Sequence, residues 1–162
     1  MSQSRGKKFE YQVREDFERV TDVSFDRIPD QTAGYRGANN IADMIVYKKP
    51  YEYYVECKSI QGASLPFTNI KPNQWNGLLA KSKIKGVLAG VLCWYVDKDV
   101  TLFIPIQVLQ EIKEQDKKSV RFDIVDNRVI TLKCKKKRTF FSYDMSDFFI
   151  QAERGLKSNE CI

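Results

Sequence analysis

The chain has 162 residues and a formal net charge of +6, and it contains no histidine. This length suits one domain with its own hydrophobic core, and the basic charge is consistent with a polyanionic partner. The lack of histidine excludes Ser-His-Asp and Cys-His nucleophiles and His-ligated zinc. Acid–base chemistry must therefore come from carboxylates, lysine, tyrosine or water activated by a metal.

The first twenty residues, the longest apolar run and the cysteines together indicate a cytoplasmic protein. The first twenty residues are rich in charged and polar side chains, unlike a signal peptide. The longest apolar run, residues 86–96, is too short to span a bilayer and predicts a buried strand. No CxxC pair occurs, so the four cysteines predict reduced thiols. We expect one domain over residues 1–162, with a core over about 6–115 and a C-terminal extension over about 120–155, in a protein without membrane association.

The first half of the chain predicts one helix and three strands. Phe9, Val13, Phe17 and Val20 recur at helical spacing. Lys49-Pro50 interrupts an apolar region and predicts a hairpin turn between two strands. The predicted elements are a helix over 6–20, a strand over 23–28, a Gly- and Asn-rich loop over 30–40, and hairpin strands over 41–47 and 52–59.

The second half of the chain predicts a further alternation of helices and strands. Proline at residues 72 and 105 is typical of the first helical turn. The predicted elements are an irregular segment over 62–70, a helix over 71–84, strands over 86–96 and 100–104, a helix over 105–114, a weak β region over 121–134, and a helix over 144–154. This order predicts an α/β domain, with a central mixed β-sheet flanked by helices.

Charged side chains occur in the second strand of the predicted hairpin. Glu56 and Lys58 are two positions apart and share a face, whereas Cys57 points into the core. The antiparallel hairpin brings Asp43 near Glu56. Two carboxylates supply the oxygen ligands that Mg²⁺ prefers. A lysine beside them can orient or deprotonate an attacking water, or neutralise charge on a phosphate. The cluster therefore suits phosphodiester hydrolysis.

The alternative for Glu56 and Lys58 is an exposed cross-strand ion pair, worth under about 1 kcal/mol. The neighbouring Tyr53, Tyr54 and Val55 make this strand apolar and favour a central, buried position. Charges in a buried strand need a stabilising partner or a function.

The pattern Asp43…Glu56-Cys57-Lys58 resembles the motif of the PD-(D/E)xK nucleases, whose core is that of the restriction endonucleases. Within that superfamily the chain is most similar to the RecU-type Holliday junction resolvases. Residues 6–10, 43–58 and 64–74 carry the likeness, which spans roughly the first 85 residues. Ala42 stands where the motif's name has proline, a position that supplies no ligand. The loop over 30–40 is shorter than the projecting stalk of such resolvases.

The resemblance implies a metal site and a set of catalytic residues. The residues implied are Asp43, Glu56 and Glu10 as metal ligands and Asp43, Glu56, Lys58 and Gln74 as catalytic residues. Glu10 has the alternative of an exposed helix carboxylate beside Arg14, and Gln74 that of a cap or surface residue at the start of its helix. The implied cofactor is Mg²⁺, for which Mn²⁺ can substitute, without a small-molecule cofactor.

Basic residues that flank the site in sequence are candidate phosphate contacts. They are Lys7, Arg27, Arg36, Lys71, Lys81 and Lys83. Each can equally be a solvated surface charge. The basic run over 133–138 can be an extra DNA contact or a sheet edge protected by lysine. Trp75 and Trp94 are expected in the core.

The resemblance implies a metal-dependent endodeoxyribonuclease that leaves a 5′-phosphate and nicks four-way DNA junctions symmetrically. Paired nicks need two active sites, so a homodimer with two-fold symmetry is expected. Two alternatives stay open. One is a nuclease of the same superfamily that acts on ordinary duplex or damaged DNA. The other is a DNA-binding module that has kept the fold without hydrolysis.

Overall fold

A computed structural model describes residues 4–29, 40–138 and 140–160 of the chain. Its α-helices are α1 (Arg5–Glu18), α2 (Pro72–Ser82), α3 (Ile106–Glu114) and α4 (Met145–Glu160). Its strands are β1 (Ser24–Arg27), β2 (Met44–Lys48), β3 (Tyr51–Ile60), β4 (Ser64–Pro66), β5 (Val87–Tyr95), β6 (Val100–Pro105), β7 (Ser119–Arg121), β8 (Ile130–Thr131), β9 (Cys134–Lys136) and β10 (Phe141–Tyr143). Among these residues, no helix combines the length and apolar character needed to cross a membrane.

Six strands form one central sheet in the order β1-β2-β3-β5-β6-β8. β3 and β5 run parallel, from Glu52 opposite Val87 to Ile60 opposite Tyr95. The connection between them carries α2, because parallel neighbours need a long crossover. The remaining neighbours in the sheet are antiparallel. The predicted α/β architecture with a central mixed sheet is confirmed.

Helices cover both faces of the sheet and divide the core in two. One core joins α1 and α4 to the sheet through side chains such as Phe9, Phe17 and Phe148. The other joins α2 and α3 to the opposite face through Trp75 and Leu78, among others. β3 contributes to both cores because its side chains alternate between faces. The predicted burial of Trp75 and Trp94 is confirmed.

The hairpin of β2 and β3 has the predicted antiparallel register. Met44 lies opposite Val55 and Lys48 opposite Tyr51. β3 is flanked by β2 and β5, so it is a central strand, and Tyr53 and Val55 are fully buried. The prediction of a central, buried strand around Glu56 is therefore confirmed.

Several predicted boundaries were wrong. Residues 62–70, predicted irregular, contain β4 and a short 3-10 helix (Phe67–Asn69). The last helix runs to Glu160, beyond the predicted end at 154. The region over 121–134 forms parts of three short strands. β4 has three residues, too few for an alternating pattern, and it pairs with β7 more than fifty positions later. The predicted loop over 30–40 lies outside the described residues, apart from Asn40.

Candidate active site

A notch opens between β2 and β3 because the two strands differ in length at this end. β2 begins at Met44, opposite Val55, while β3 continues to Ile60 alongside β5. The backbone N–H of Asp43 still donates to Val55 O at 3.1 Å. Asp43, Glu56 and Lys58 thus stand at the point where the strands separate, as the hairpin register requires.

Glu56 is a buried carboxylate, with 2% of its surface exposed. Its Oε1 accepts a hydrogen bond from Gln74 Nε2 at 2.7 Å and forms an ion pair with Lys58 Nζ, also at 2.7 Å. Burial raises the pKa of Glu56 above its ordinary value, although the Lys58 ammonium and the Gln74 amide act in the opposite direction. Glu56 and Lys58 share a face, as their spacing predicted.

The other oxygen of Glu56 has no such partner. Among the described residues, no group donates a hydrogen bond to the buried Oε2. A buried acceptor without a donor is destabilising by about 1–3 kcal/mol, and more when it is charged. Buried polar groups without a hydrogen-bond partner are uncommon in folded proteins, and an ion bound at the site is one explanation for them. A cation beside Oε2 would supply the missing interaction.

Asp43 lies against the same strand. Its Oδ2 accepts a hydrogen bond from the backbone N–H of Cys57 at 2.7 Å. Burial, and then the negative charge of Glu56, raise the pKa of Asp43 from 3.8 to about 7. A buried carboxylate that raises the proton affinity of a half-buried carboxylate beside it favours a shared cation. The donor set of Asp43 and Glu56 therefore fits a divalent metal ion with oxygen ligands.

Glu10 approaches this site from α1. It pairs with Arg27 of β1 at 3.4 Å, and its side chain is 18% exposed. Its charge contributes to the raised pKa values of Asp43 and Glu56. Arg14, the alternative partner considered for Glu10, pairs instead with Glu18.

The site is not a preformed cage. Within residues 4–29, 40–138 and 140–160, no three acidic or cysteine side chains are grouped closely enough to enclose a metal ion. A cation at this notch would rest on two carboxylates and complete its shell with water and substrate oxygens, as Mg²⁺ commonly does. The assignment of Glu10 as a third ligand stays a prediction.

Gln74 has contacts both at the start of α2 and at the candidate site. Its Oε1 accepts a hydrogen bond from the backbone N–H of Lys71 at 3.1 Å and caps the start of α2. Its Nε2 donates to Glu56 Oε1. The start of α2 is thereby joined to the buried carboxylate, which fixes the orientation of Glu56.

Three of the predicted DNA-contacting residues are placed around the notch or on elements that border it. Lys7 is exposed in the first turn of α1, and Lys71 is exposed where α2 begins, three residues before Gln74. Arg27 is engaged by Glu10. Arg36 lies outside the described residues.

The other two predicted contacts lie at the far end of α2. Lys81 is half-buried and stands over the ring of Tyr54 at 5.1 Å, and Lys83 follows the helix. At 1.5 Å per residue, they lie about 10–14 Å farther along the helix than Gln74. The structure therefore does not bring Lys81 and Lys83 together with the notch.

Sequence reasoning missed contacts that hold the segment preceding Asp43. Asn73 Nδ2 donates to Asn40 O at 3.0 Å, and Asn40 Nδ2 donates to Pro29 O at 2.6 Å. Gly77 of α2 lies so close to Ile41 that a Cβ at this position would collide with the Ile41 side chain. A glycine inside a predicted helix is the only sequence signal for this close approach.

A separate groove of about 910 Å³ opens at the opposite end of β5, between the end of α2, β8 and α4. Its lining includes Lys85, Arg128 and Arg154. Arg128 is neutralised by Glu111 at 2.6 Å and Asp126 at 2.8 Å. None of the four predicted catalytic residues lines this groove.

A mixed sheet that carries an aspartate opposite a Glu-x-Lys strand has the arrangement of the PD-(D/E)xK nucleases. A family model described as "Phage putative PDDEXK endonuclease" matches residues 1–153. The chain belongs to this endonuclease family. The predicted superfamily, with its restriction-endonuclease-like core, is confirmed.

Among solved structures, the chain is similar to Hjc of Archaeoglobus fulgidus, a Holliday junction resolvase from an archaeal hyperthermophile. The match has 16% sequence identity and a TM-score of 0.46, and it covers 63% of this chain and 78% of that one. No curated protein sequence matches the chain.

Proposed function

We propose that the chain is a metal-dependent DNA endonuclease that hydrolyses phosphodiester bonds at the notch between β2 and β3. The observation that carries the proposal is the buried Glu56, whose Oε2 has no donor among the described residues. Asp43 lies beside it and has a raised pKa. Nucleases of the PD-(D/E)xK type generally use divalent metals. The oxygen donors of Asp43 and Glu56 suit Mg²⁺, with Mn²⁺ as a substitute.

Each side chain has a distinct part in this proposal. Asp43 and Glu56 would hold the cation, with Glu10 available as a third carboxylate. When bound, the cation supplies positive charge that stabilises the phosphate and acidifies water. Lys58 orients the attacking water or offsets the charge that develops on the phosphate. Gln74 keeps Glu56 oriented through its 2.7 Å hydrogen bond.

The DNA backbone would be positioned by cations around the notch. Lys7, Arg27 and Lys71 are on the elements that border it, and Arg36 precedes Asp43 by seven positions in the sequence. Phosphate contacts of this kind fix the position of the DNA without reading its sequence. Lys81 and Lys83 lie along α2 away from the notch, so they are not included.

The substrate that we favour is a four-way DNA junction, cut by symmetric nicks in two strands. The sequence resemblance to RecU-type resolvases supports this choice. Two nicks require two active sites, so the enzyme would act as a homodimer. Such an enzyme would serve recombination or repair of phage or bacterial DNA in the cytoplasm.

The test compares a labelled four-way junction with a linear duplex of the same arm sequence, in Mg²⁺ and in EDTA. Paired symmetric nicks in the junction alone, abolished by EDTA, are the expected result. Equal cutting of both substrates would support the nuclease activity and contradict the junction preference. Binding without cutting in Mg²⁺ or Mn²⁺ would favour the non-catalytic DNA-binding module.

A further inference from the structure

We propose that the hairpin of β9 and β10 is a second DNA-contacting element, which holds the DNA backbone on one side of the cleavage site through Lys135, Lys137 and Arg138. The inference rests on the proposed function, since its ligand is the DNA that the notch would cut. The hairpin forms a two-stranded sheet of its own, outside the central sheet.

The hairpin is fixed to the body of the protein by buried polar contacts. Asp16 of α1 is only 4% exposed, and its Oδ2 accepts a hydrogen bond from the backbone N–H of Tyr143 at 2.8 Å. Ser142 Oγ donates to the other oxygen of Asp16 at 3.4 Å. The Tyr143 hydroxyl and Thr101 Oγ1 are 2.9 Å apart. An arm held in this way loses little conformational entropy when it binds a ligand.

The tip of the hairpin stands at the end of β3 that carries the candidate site. The ring of Phe140 packs on Trp94, with 5.7 Å between ring centroids. Trp94 lies opposite Ser59, the residue that follows Lys58. Phe9 of α1 packs on the same tryptophan at 5.8 Å. Phe140 therefore places the tip of the hairpin at the same end of the sheet as Lys58, on the face that α1 covers, whereas Lys58 extends from the face that α2 covers.

The charges of the hairpin are only partly neutralised. Lys133 pairs with Asp147 at 3.1 Å, and Lys136 pairs with Asp99 at 3.7 Å. The three remaining cations, Lys135, Lys137 and Arg138, are exposed and have no acidic partner among the described residues. Three neighbouring cations without a salt bridge to the described part of the chain repel one another, so their placement does not serve stability.

The first turn of α1 adds like charge at the same place. It carries Arg5, Lys7 and Lys8, all exposed, and no acidic residue. Cations are unfavourable at the positive end of a helix dipole. A Cβ on Gly6 would lie 3.7 Å from Ser59 Oγ, so this turn borders the same end of β3. Two groups of cations thus flank one strand end, which is the charge pattern that a phosphate backbone complements.

Protection of a sheet edge does not account for Lys137 and Arg138. Lysines can discourage pairing along an exposed edge strand. However, β9 ends at Lys136, and Lys137 and Arg138 lie beyond it in the turn. Cations in a turn do not shield an edge, whereas exposed cations there can contact a DNA backbone.

The experiment measures duplex binding by fluorescence anisotropy across a salt series, in a cleavage-blocked Asp43→Asn background. The test variant carries Lys135→Gln, Lys137→Gln and Arg138→Gln. The matched control carries Lys85→Gln, Arg154→Gln and Lys157→Gln, which removes the same charge at the opposite end of β5 and on α4. Each lost phosphate contact lowers the slope of log K against log[salt] by about 0.9. We expect the test variant to lose about 2–3 units of slope and roughly tenfold or more in affinity, while the control changes about twofold or less.

A footprint locates the contact. Hydroxyl-radical protection by the test variant should be lost on one side of the cut and retained on the other. Thermal unfolding verifies that the variants are folded, and Arg138→Glu alone should weaken binding in the same direction. If the test variant binds like the control while the unaltered protein cuts DNA in Mg²⁺, the hairpin inference is overturned and the nuclease stands. If the unaltered protein neither cuts nor binds DNA, the proposed function fails and the inference fails with it.

Discussion

Glu56 occupies a position where an isolated carboxylate would be strongly destabilising. It is 2% exposed in a central strand, and one of its oxygens has no donor among the described residues. Lys58 and Gln74 both contact the other oxygen, Oε1. The local contacts thus hold the side chain in place while leaving its second oxygen without a donor among the described residues. A carboxylate with one unsatisfied oxygen does not stabilise the fold, whereas a cation site would explain its position.

The pH dependence of stability tests the environment of Asp43. Its pKa is raised from 3.8 in the unfolded reference to about 7 in the fold, chiefly by burial. The folded protein therefore holds this proton more tightly than the unfolded chain, so its contribution to stability is present at low pH and is lost as pH rises through about 7. Asp43→Asn removes this dependence. In EDTA, the free energy of unfolding of Asp43→Asn relative to the unaltered protein should increase by about 1–3 kcal/mol from pH 5 to pH 7.5.

Urea unfolding of both proteins at the two pH values makes the comparison. Effects that the proteins share, such as titration of distant carboxylates, cancel in the difference. A gap that stays constant with pH would show that Asp43 has an ordinary pKa and is well solvated.

At the scale of elements, the close approach of α2 to the segment before β2 can be tested through Gly77. A Cβ here would lie 2.6 Å from Ile41 Cβ. Gly77→Ala should therefore destabilise the protein by about 1–3 kcal/mol and slow DNA cleavage, because Ile41 is two residues before Asp43.

Gly155→Ala is the matched control, because a Cβ at this helical position of α4 meets nothing within 4 Å among the described residues, apart from the backbone of its own helix. It should stabilise the protein by up to about 1 kcal/mol, as alanine normally does in a helix. Ile41→Ala should partly restore the stability of Gly77→Ala. Equal stabilisation by Gly77→Ala and Gly155→Ala in chemical denaturation would disprove the close contact.

Elements also show how far the sequence determines the site. The spacing of Glu56 and Lys58 fixes their shared face, and the Lys49-Pro50 turn fixes Asp43 opposite Glu56. Such features depend on local periodicity. By contrast, the pairing of β4 with β7 and the bond between Asn73 and Asn40 join distant segments. No local pattern encodes those contacts, and the ion pair of Glu10 with Arg27 was missed for the same reason.

At the scale of the whole molecule, metal binding should be coupled to folding. A cation that binds only the folded state stabilises it by RT ln(1 + [L]/Kd), about 1.4 kcal/mol at ten times Kd. Mg²⁺ should therefore raise the melting temperature of the unaltered protein. Glu56→Gln should abolish this increase, because it removes the charge that the cation would neutralise.

Glu18→Gln is the control for general ionic effects, since Glu18 is an exposed carboxylate on α1. Its melting temperature should rise with Mg²⁺ as in the unaltered protein. If Mg²⁺ stabilises Glu56→Gln as much as Glu18→Gln, the cation does not bind at the notch. This readout does not depend on DNA or on catalysis.

The fold places the buried Glu56, the half-buried Asp43, a lysine and flanking cations at one end of a mixed sheet. The central proposal is that this end of the sheet hydrolyses DNA with the help of a divalent cation. The most direct measurement is the single-turnover rate of DNA cleavage in Mg²⁺ by the unaltered protein, Asp43→Asn, Glu56→Gln, Lys58→Ala and the control Glu18→Gln. The three site variants should each cut at least about a hundredfold more slowly, EDTA should stop cleavage, and Glu18→Gln should cut at the unaltered rate. Cleavage by Asp43→Asn and Glu56→Gln at the unaltered rate would contradict the account.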